Sequence, residues 1–108
     1  MSATPGQIGP YSLAQVRVAG GDETVRFQAD LLCDGALIAI VSNEGTGGAN
    51  MLRPTREAGG GVVRAFEEYA EGWNRGSRYA GIEDYSRLVD ALLEAWAESQ
   101  PIYDQSLN

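Results

Sequence analysis

The sequence predicts an α+β domain, in which an antiparallel three- to four-stranded sheet forms a meander and two C-terminal helices pack on one face. Three observations predict it: Asp34-Gly35 separates two apolar runs, turn residues punctuate the first half, and the second half repeats apolar residues at helical spacing. We expect a flexible N-terminal arm at 1–10, a single domain at 11–100 and a C-terminal tail at 101–108. A chain of 108 residues is long enough for one such core.

The first two strands are predicted from alternation and from a glycine turn. Residues 11–18 place Ala14, Val16 and Val18 on one side, which is typical of a half-buried strand. A Gly-Gly-Asp turn follows, and the second strand is predicted to begin near Thr24. These elements supply the first half of the meander.

Asp34 and Gly35 predict a two-residue hairpin loop, because a type I′ turn needs positive φ at both central positions. Counting outward from this loop gives the pairs expected on the core face: Cys33 with Ala36, Leu31 with Ile38, Ala29 with Ile40, and Phe27 with Ser42. The opposite face is then expected to hold a half-apolar patch: Leu32, Leu37, Ala39 and Val41.

Residues 43–50, which we name the glycine bend, are rich in residue types that accept positive φ. Residues 51–53 are predicted to form a short fourth strand that Pro54 ends. Three glycines at 59–61 would cost about 3 kcal/mol relative to alanine in a helix interior. The first helix is therefore predicted to start near Gly61.

Both helices are predicted from apolar stripes at a spacing of three and four residues. The stripe of the first helix is Val62, Phe66, Tyr69, Ala70 and Trp73. The second helix is predicted from Ile82 to Ser99, and its stripe is Tyr85, Leu88, Val89, Leu92, Leu93 and Trp96. Pro101 ends it.

The composition argues against catalysis. The chain has no histidine and one cysteine, Cys33, which removes Ser-His and Cys-His nucleophiles and the usual zinc ligand. We expect a noncatalytic protein without cofactor or metal. No apolar run approaches the roughly 20 residues that span a bilayer, and the net charge of −7 disfavours nucleic acid and anionic membranes, so a cytoplasmic location is expected.

Three carboxylates of the second helix predict a partner-binding surface. Asp90, Glu94 and Glu98 are spaced four residues apart, so they stack on one side of the helix as a column that we name the acidic ridge. Together with Glu67 and Glu71 of the first helix, the ridge could dock on a basic, nucleic-acid-binding surface of another protein. An ordinary solvated helix face is the alternative explanation.

The glycine bend predicts a different kind of site, in which backbone amides approach a small anionic ligand or nucleotide. The candidate residues are Asn43, Gly45, Gly47, Gly48, Asn50, Arg53, Arg56, Arg75 and Arg78. The bend lacks the lysine of a P-loop, and a purely structural bend is the favoured explanation. A third alternative is a structural homodimer formed through the half-apolar patch.

The residues from Phe27 to Asn50 spell F-x-A-x-L-x-x-D-G-x-x-x-A-x-V-x-N-x-G-x-G-G-x-N. This pattern resembles one in small, mostly uncharacterised proteins of bacteriophages and prophages, in which a helix with an aromatic stripe, here Phe66 and Tyr69, also follows the bend. The resemblance covers residues 11–73, while the triplet 59–61 departs from it. It implies no catalytic residues. It implies a counter-defence inhibitor, similar to anti-CRISPR proteins, that binds a protein of the bacterial host.

Overall fold

The fold is a five-stranded antiparallel sheet with two helices, which confirms the predicted α+β class. The computed structural model describes residues 6–20, 26–78, 80–81 and 83–100. The sheet order follows the chain. The elements are β1 (Gln7–Ile8), β2 (Tyr11–Ala19), β3 (Arg26–Cys33), β4 (Ala36–Asn43), β5 (Met51–Pro54), α1 (Gly59–Asn74) and α2 (Asp84–Ser99).

The sheet has one strand more than the three to four predicted. The additional strand is β1, which lies within the residues predicted as an arm and pairs with the start of β2. The predicted strand start near Thr24, the predicted helix start at Ile82 and the tail at 101–108 lie outside the described residues.

The β3–β4 hairpin has the predicted turn but not the predicted register. Asp34 and Gly35 have φ of 52° and 85°, and Cys33 pairs with Ala36. A bulge at Ile38 then shifts the pairing, so Leu31 opposes Ala39 where the sequence predicted Ile38. The rest of the predicted register is therefore wrong. The apolar run at 37–41 does not alternate with polar residues, so it carries no signal that could have fixed the register.

This bulge changes which side chains face the helices. Ala39 and Val41 are 0 % exposed and belong to the core, so the half-apolar patch predicted to include them is wrong. Ile40 instead pairs with Asp30 on the face turned away from the helices, which we name the open face. The large apolar residues on the open face are Leu32, Leu37, Ile40 and Met51.

A second bulge interrupts β2. Gln15 has φ of 52°, and the pairing with β3 shifts between Ala14 and Arg17. Ala14 consequently pairs with Asp30 on the open face, whereas Val18 pairs with the core residue Phe27. The predicted common side for Ala14 and Val18 is wrong, because the inserted residue reverses the alternation.

The core lies between one face of the sheet and both helices, as predicted. Helix α1 packs over β4 and β5, and α2 packs over β1 and β2. The buried apolar residues are Tyr11, Leu13, Phe27, Ala29, Leu31, Ile38, Ala39, Val41, Phe66, Ala70, Leu88, Val89 and Leu92. The ring of Tyr11 meets the ring of Phe66 edge-on at 4.8 Å and that of Tyr69 at 5.2 Å.

Helix α1 begins at Gly59, two residues before the predicted start. The turn before it is closed by Thr55, whose Oγ1 accepts a hydrogen bond from the Ala58 amide at 3.2 Å. The Gly59 amide donates to the Thr55 carbonyl at 3.1 Å. The glycines thus occupy the first turn rather than the helix interior, and Gly59 has φ of 74°, a conformation that glycine adopts readily.

Candidate functional site

The glycine bend is closed around the side chain of Asn43. Its Oδ1 accepts a hydrogen bond from the Gly45 amide at 2.7 Å, and its Nδ2 donates to the Gly48 carbonyl at 3.0 Å. Gly45 and Gly47 have φ of 83° and 91°, which explains why glycine stands at both positions. The bend is therefore an ordered loop with its own hydrogen bonds.

Asn50 joins the glycine bend to α2. Its amide donates to Ser86 Oγ at 3.0 Å, and its Nδ2 donates to the Ser86 carbonyl at 2.9 Å and to Asp90 Oδ1 at 2.8 Å. Its Oδ1 accepts a hydrogen bond from Asn43 Nδ2 at 3.0 Å. Asn50 is 2 % exposed, so its bonds to Asn43 and Ser86 are shielded from competing water. The hydrogen bond to Asp90 Oδ1 is part-buried and restricts the rotation of that exposed carboxylate.

A groove of about 530 Å³ lies between the glycine bend and α2, and we name it the acidic groove. Three carboxylates line it, those of Glu83, Asp90 and Glu94, together with the guanidinium of Arg87. Its other walls are the backbone at Gly47 and Gly48 and the side chains of Asn43 and Asn50. The glycine bend and the acidic ridge, which the sequence suggested as alternative sites, therefore form two walls of one groove.

The carboxylates predicted to bind a partner are on the surface. Asp90, Glu94 and Glu98 are exposed along α2, and Glu67 and Glu71 are exposed on α1. Asp90 and Glu94 also line a smaller groove of about 250 Å³ on the other side of the ridge, where Trp73 of α1 faces them. Trp73 was predicted on the buried stripe, but 40 % of its surface is exposed.

The arginines predicted near the glycine bend do not line the acidic groove. Arg53 pairs with Ile40 on the open face and lines a separate groove of about 520 Å³ that includes Asn50. Arg56, Arg75 and Arg78 are exposed at the two ends of α1. Two arginines that the sequence analysis did not single out, Arg17 and Arg26, line a groove together with Glu44 and Thr46 of the bend, because β2 ends and β3 begins beside it.

A second set of polar contacts joins the end of α1 to the start of α2. Asn74, the last residue of α1, is 5 % exposed and donates its Nδ2 to Asp84 Oδ1 at 2.7 Å. The same oxygen accepts a hydrogen bond from the Gly81 amide at 3.0 Å. Asp84 thereby anchors the first turn of α2. Ser86 and, one turn further on, Asp90 of this helix are hydrogen-bonded to Asn50 at the end of the bend.

The thiol of Cys33 is partly buried at the end of β3. Burial, and secondarily the carboxylate of Asp34, raises its pKa, which lowers the fraction of reactive thiolate at neutral pH. The described residues contain no cluster of three or more side chains that could hold a metal ion. Neither described helix is long and apolar enough to cross a membrane.

Comparisons with protein-family models, with curated proteins and with solved structures found no match to this chain. Sequence reasoning found the acidic ridge and the glycine bend but missed Ser86, Trp73, Arg17 and Arg26, since neither a spacing nor a motif links these residues to the bend.

Proposed function

We propose that the protein is a noncatalytic binding protein whose acidic ridge occupies a basic surface of another protein. The observation that carries this proposal is the hydrogen bond from Asn50 to Asp90. A carboxylate held in one orientation before binding loses less conformational freedom when it meets a partner's guanidinium. An ordinary solvated acid is free to rotate.

The surroundings of the ridge support the same function. The two helices carry seven acidic residues against Arg64 and Arg87, so their outer surface attracts cations. Trp73 adds an exposed aromatic ring beside Asp90 and Glu94. Tryptophan is enriched at binding hot spots, and its ring face attracts arginine through cation–π contact.

The kind of partner follows from the charge and from the resemblance to phage proteins. A protein surface that normally holds nucleic acid is rich in arginine and lysine and matches the ridge in sign. The proposed role is that of a phage counter-defence inhibitor, similar to anti-CRISPR proteins, which blocks such a surface on a protein of the bacterial host and acts in its cytoplasm.

Two variants with the same change in charge test the ridge. Glu94→Arg/Glu98→Arg reverses two of the three acids of the ridge, and Glu44→Arg/Glu57→Arg reverses two exposed acids outside both helices. Host proteins captured from a bacterial lysate by the wild type should bind the control variant and be lost with the ridge variant, as quantified by mass spectrometry. Equal capture by both variants would refute the proposal.

A structural homodimer is a second candidate function. It is favoured by Leu37 and Met51 on the open face, which are 45 % and 58 % exposed. The face differs from the one predicted, because Ala39 and Val41 are in the core. Light scattering across a concentration series distinguishes the candidates: a dimer that Leu37→Ser/Met51→Ser dissociates supports the homodimer, and a monomer at high concentration excludes it.

A further inference from the structure

A groove of opposite charge lies on the other side of the glycine bend. It has a volume of about 510 Å³ and lies at one end of the three central strands, where β2 ends, β3 begins and β4 ends. We name it the sheet groove. Its charged lining residues are Arg17, Arg26 and Glu44, and its polar ones include Gln28, Ser42 and Thr46.

The strand register explains why these side chains converge. Arg17 pairs with Gln28, and Gln28 pairs with Ser42, so the three residues form one row across β2, β3 and β4. Directly paired residues point to the same side of a sheet, and this row lies on the open face because the neighbouring Phe27 is in the core. Arg26 precedes Phe27 and therefore belongs to the same face.

Two contacts connect the sheet groove to the glycine bend. Arg26 Nε donates to the Glu44 carbonyl at 3.4 Å, a long hydrogen bond that uses one of the five donors of the guanidinium. Thr46, at the centre of the bend, lines the same groove. The bend thus separates an acidic groove against α2 from a groove in which two arginines outnumber the carboxylate of Glu44.

We propose that the sheet groove binds a small organic molecule through a phosphate or carboxylate group. Arginine forks bind both oxyanions with paired hydrogen bonds, and the hydroxyls and the amide of the lining supply further neutral donors. The volume lies within the range of small-molecule sites. Val18, which is 52 % exposed, gives the groove one apolar lining residue for the organic part of the ligand.

This site is separate from the acidic ridge and does not depend on the partner proposed above. It keeps the glycine bend as one wall of a ligand site, as the sequence suggested, but the cations come from β2 and β3. Arg56, Arg75 and Arg78 are absent from its lining.

Calorimetric titrations with adenosine monophosphate, inorganic phosphate and benzoate test the proposal. We expect saturable binding of at least one organic anion, weakened about tenfold or more in Arg17→Gln/Arg26→Gln, since hydrogen bonds to charged groups are lost. Adenosine monophosphate without benzoate identifies phosphate as the ligand group, and the converse identifies carboxylate. Both arginines are exposed, so an unchanged melting temperature will show that the variant is folded.

Arg56→Gln/Arg75→Gln is the matched control, because it removes the same charge from exposed arginines outside the sheet groove. It should bind the organic anion like the wild type. The proposal is overturned if neither adenosine monophosphate nor benzoate binds at about 10 mM, a concentration that would nearly saturate a site of millimolar affinity, whether or not inorganic phosphate binds. It is equally overturned if the control weakens binding as much as the groove variant.

Discussion

Asn50 Nδ2 lies 2.8 Å from Asp90 Oδ1, although the two residues are forty positions apart in the chain. This hydrogen bond connects the glycine bend with the acidic ridge. The sequence presented these features as alternative binding sites. In the structure one buried side chain, that of Asn50, is hydrogen-bonded to both.

Replacing Asn50 with alanine should destabilise the protein by about 2 to 4 kcal/mol. The substitution removes the side-chain hydrogen bonds of Asn50 with Asn43 Nδ2, the Ser86 carbonyl and Asp90 Oδ1, two of which are buried. Urea denaturation measures the loss, and Thr46→Ala, at an exposed position of the same bend, should change stability little. An unfolding midpoint of Asn50→Ala equal to that of the wild type would show that the network does not stabilise the fold.

The aromatic residues of the helices should differ sharply in their contribution to stability. Phe66 is 0 % exposed, so Phe66→Ala should cost about 3 to 5 kcal/mol through the cavity it leaves. Trp96 is partly buried and Trp96→Ala should cost less. Trp73→Ala should cost about 1 kcal/mol or less, because Trp73 is exposed. Thermal unfolding tests this order, and a Trp73 variant as unstable as the Phe66 variant would contradict the layering.

Gly9 should not tolerate a side chain. Its φ is 57°, and a Cβ atom there would collide with the hydroxyl of Tyr69. Gly35, with φ of 85° and open space around it, provides the comparison. Gly35→Ala should cost about 1 to 2 kcal/mol for the backbone conformation alone, and Gly9→Ala should cost more because Tyr69 must also leave the Tyr11 ring. Chemical denaturation of both variants measures the difference, and equal losses would argue against the steric contact.

Stability should fall at alkaline pH. Burial raises the pKa of Tyr11 above its ordinary 10.0 and that of Cys33 above its ordinary 9.0. The native state therefore keeps these protons to higher pH than the unfolded state does. Their contribution to stability is complete below the ordinary pKa and is lost as the pH rises through the native pKa. Urea denaturation between pH 8 and pH 11 measures the loss.

Tyr11→Phe removes one of these titrating groups and should flatten the part of the profile above pH 10.0. Because phenylalanine keeps the ring packed against Phe66, the variant should remain folded at neutral pH. A profile with the same slope as that of the wild type would assign the alkaline loss to other groups.

Local chemistry in the sequence was sufficient for β2 to β5, for both helices and for their order, although it did not predict β1. The Asp34-Gly35 turn, the helical stripes and the spacing of Asp90, Glu94 and Glu98 each depend on contacts within a few residues, so they can be predicted without coordinates. The register of β4 could not be predicted in the same way. An apolar run packs equally well with or without a bulge at Ile38, and only the sheet and the helices together select one arrangement.

The sequence by itself determined the α+β class, the absence of histidine chemistry and the acidic character of the helices. Only the tertiary structure decided which residues share a groove. Asn50 donates a hydrogen bond to Asp90, and Arg17 lines the same groove as Thr46. Each pair is far apart in the chain and is brought together by bulges and strand pairing. The physical reason is that side-chain hydrogen bonds act over about 3 Å in space, whereas the sequence records separation only along the chain.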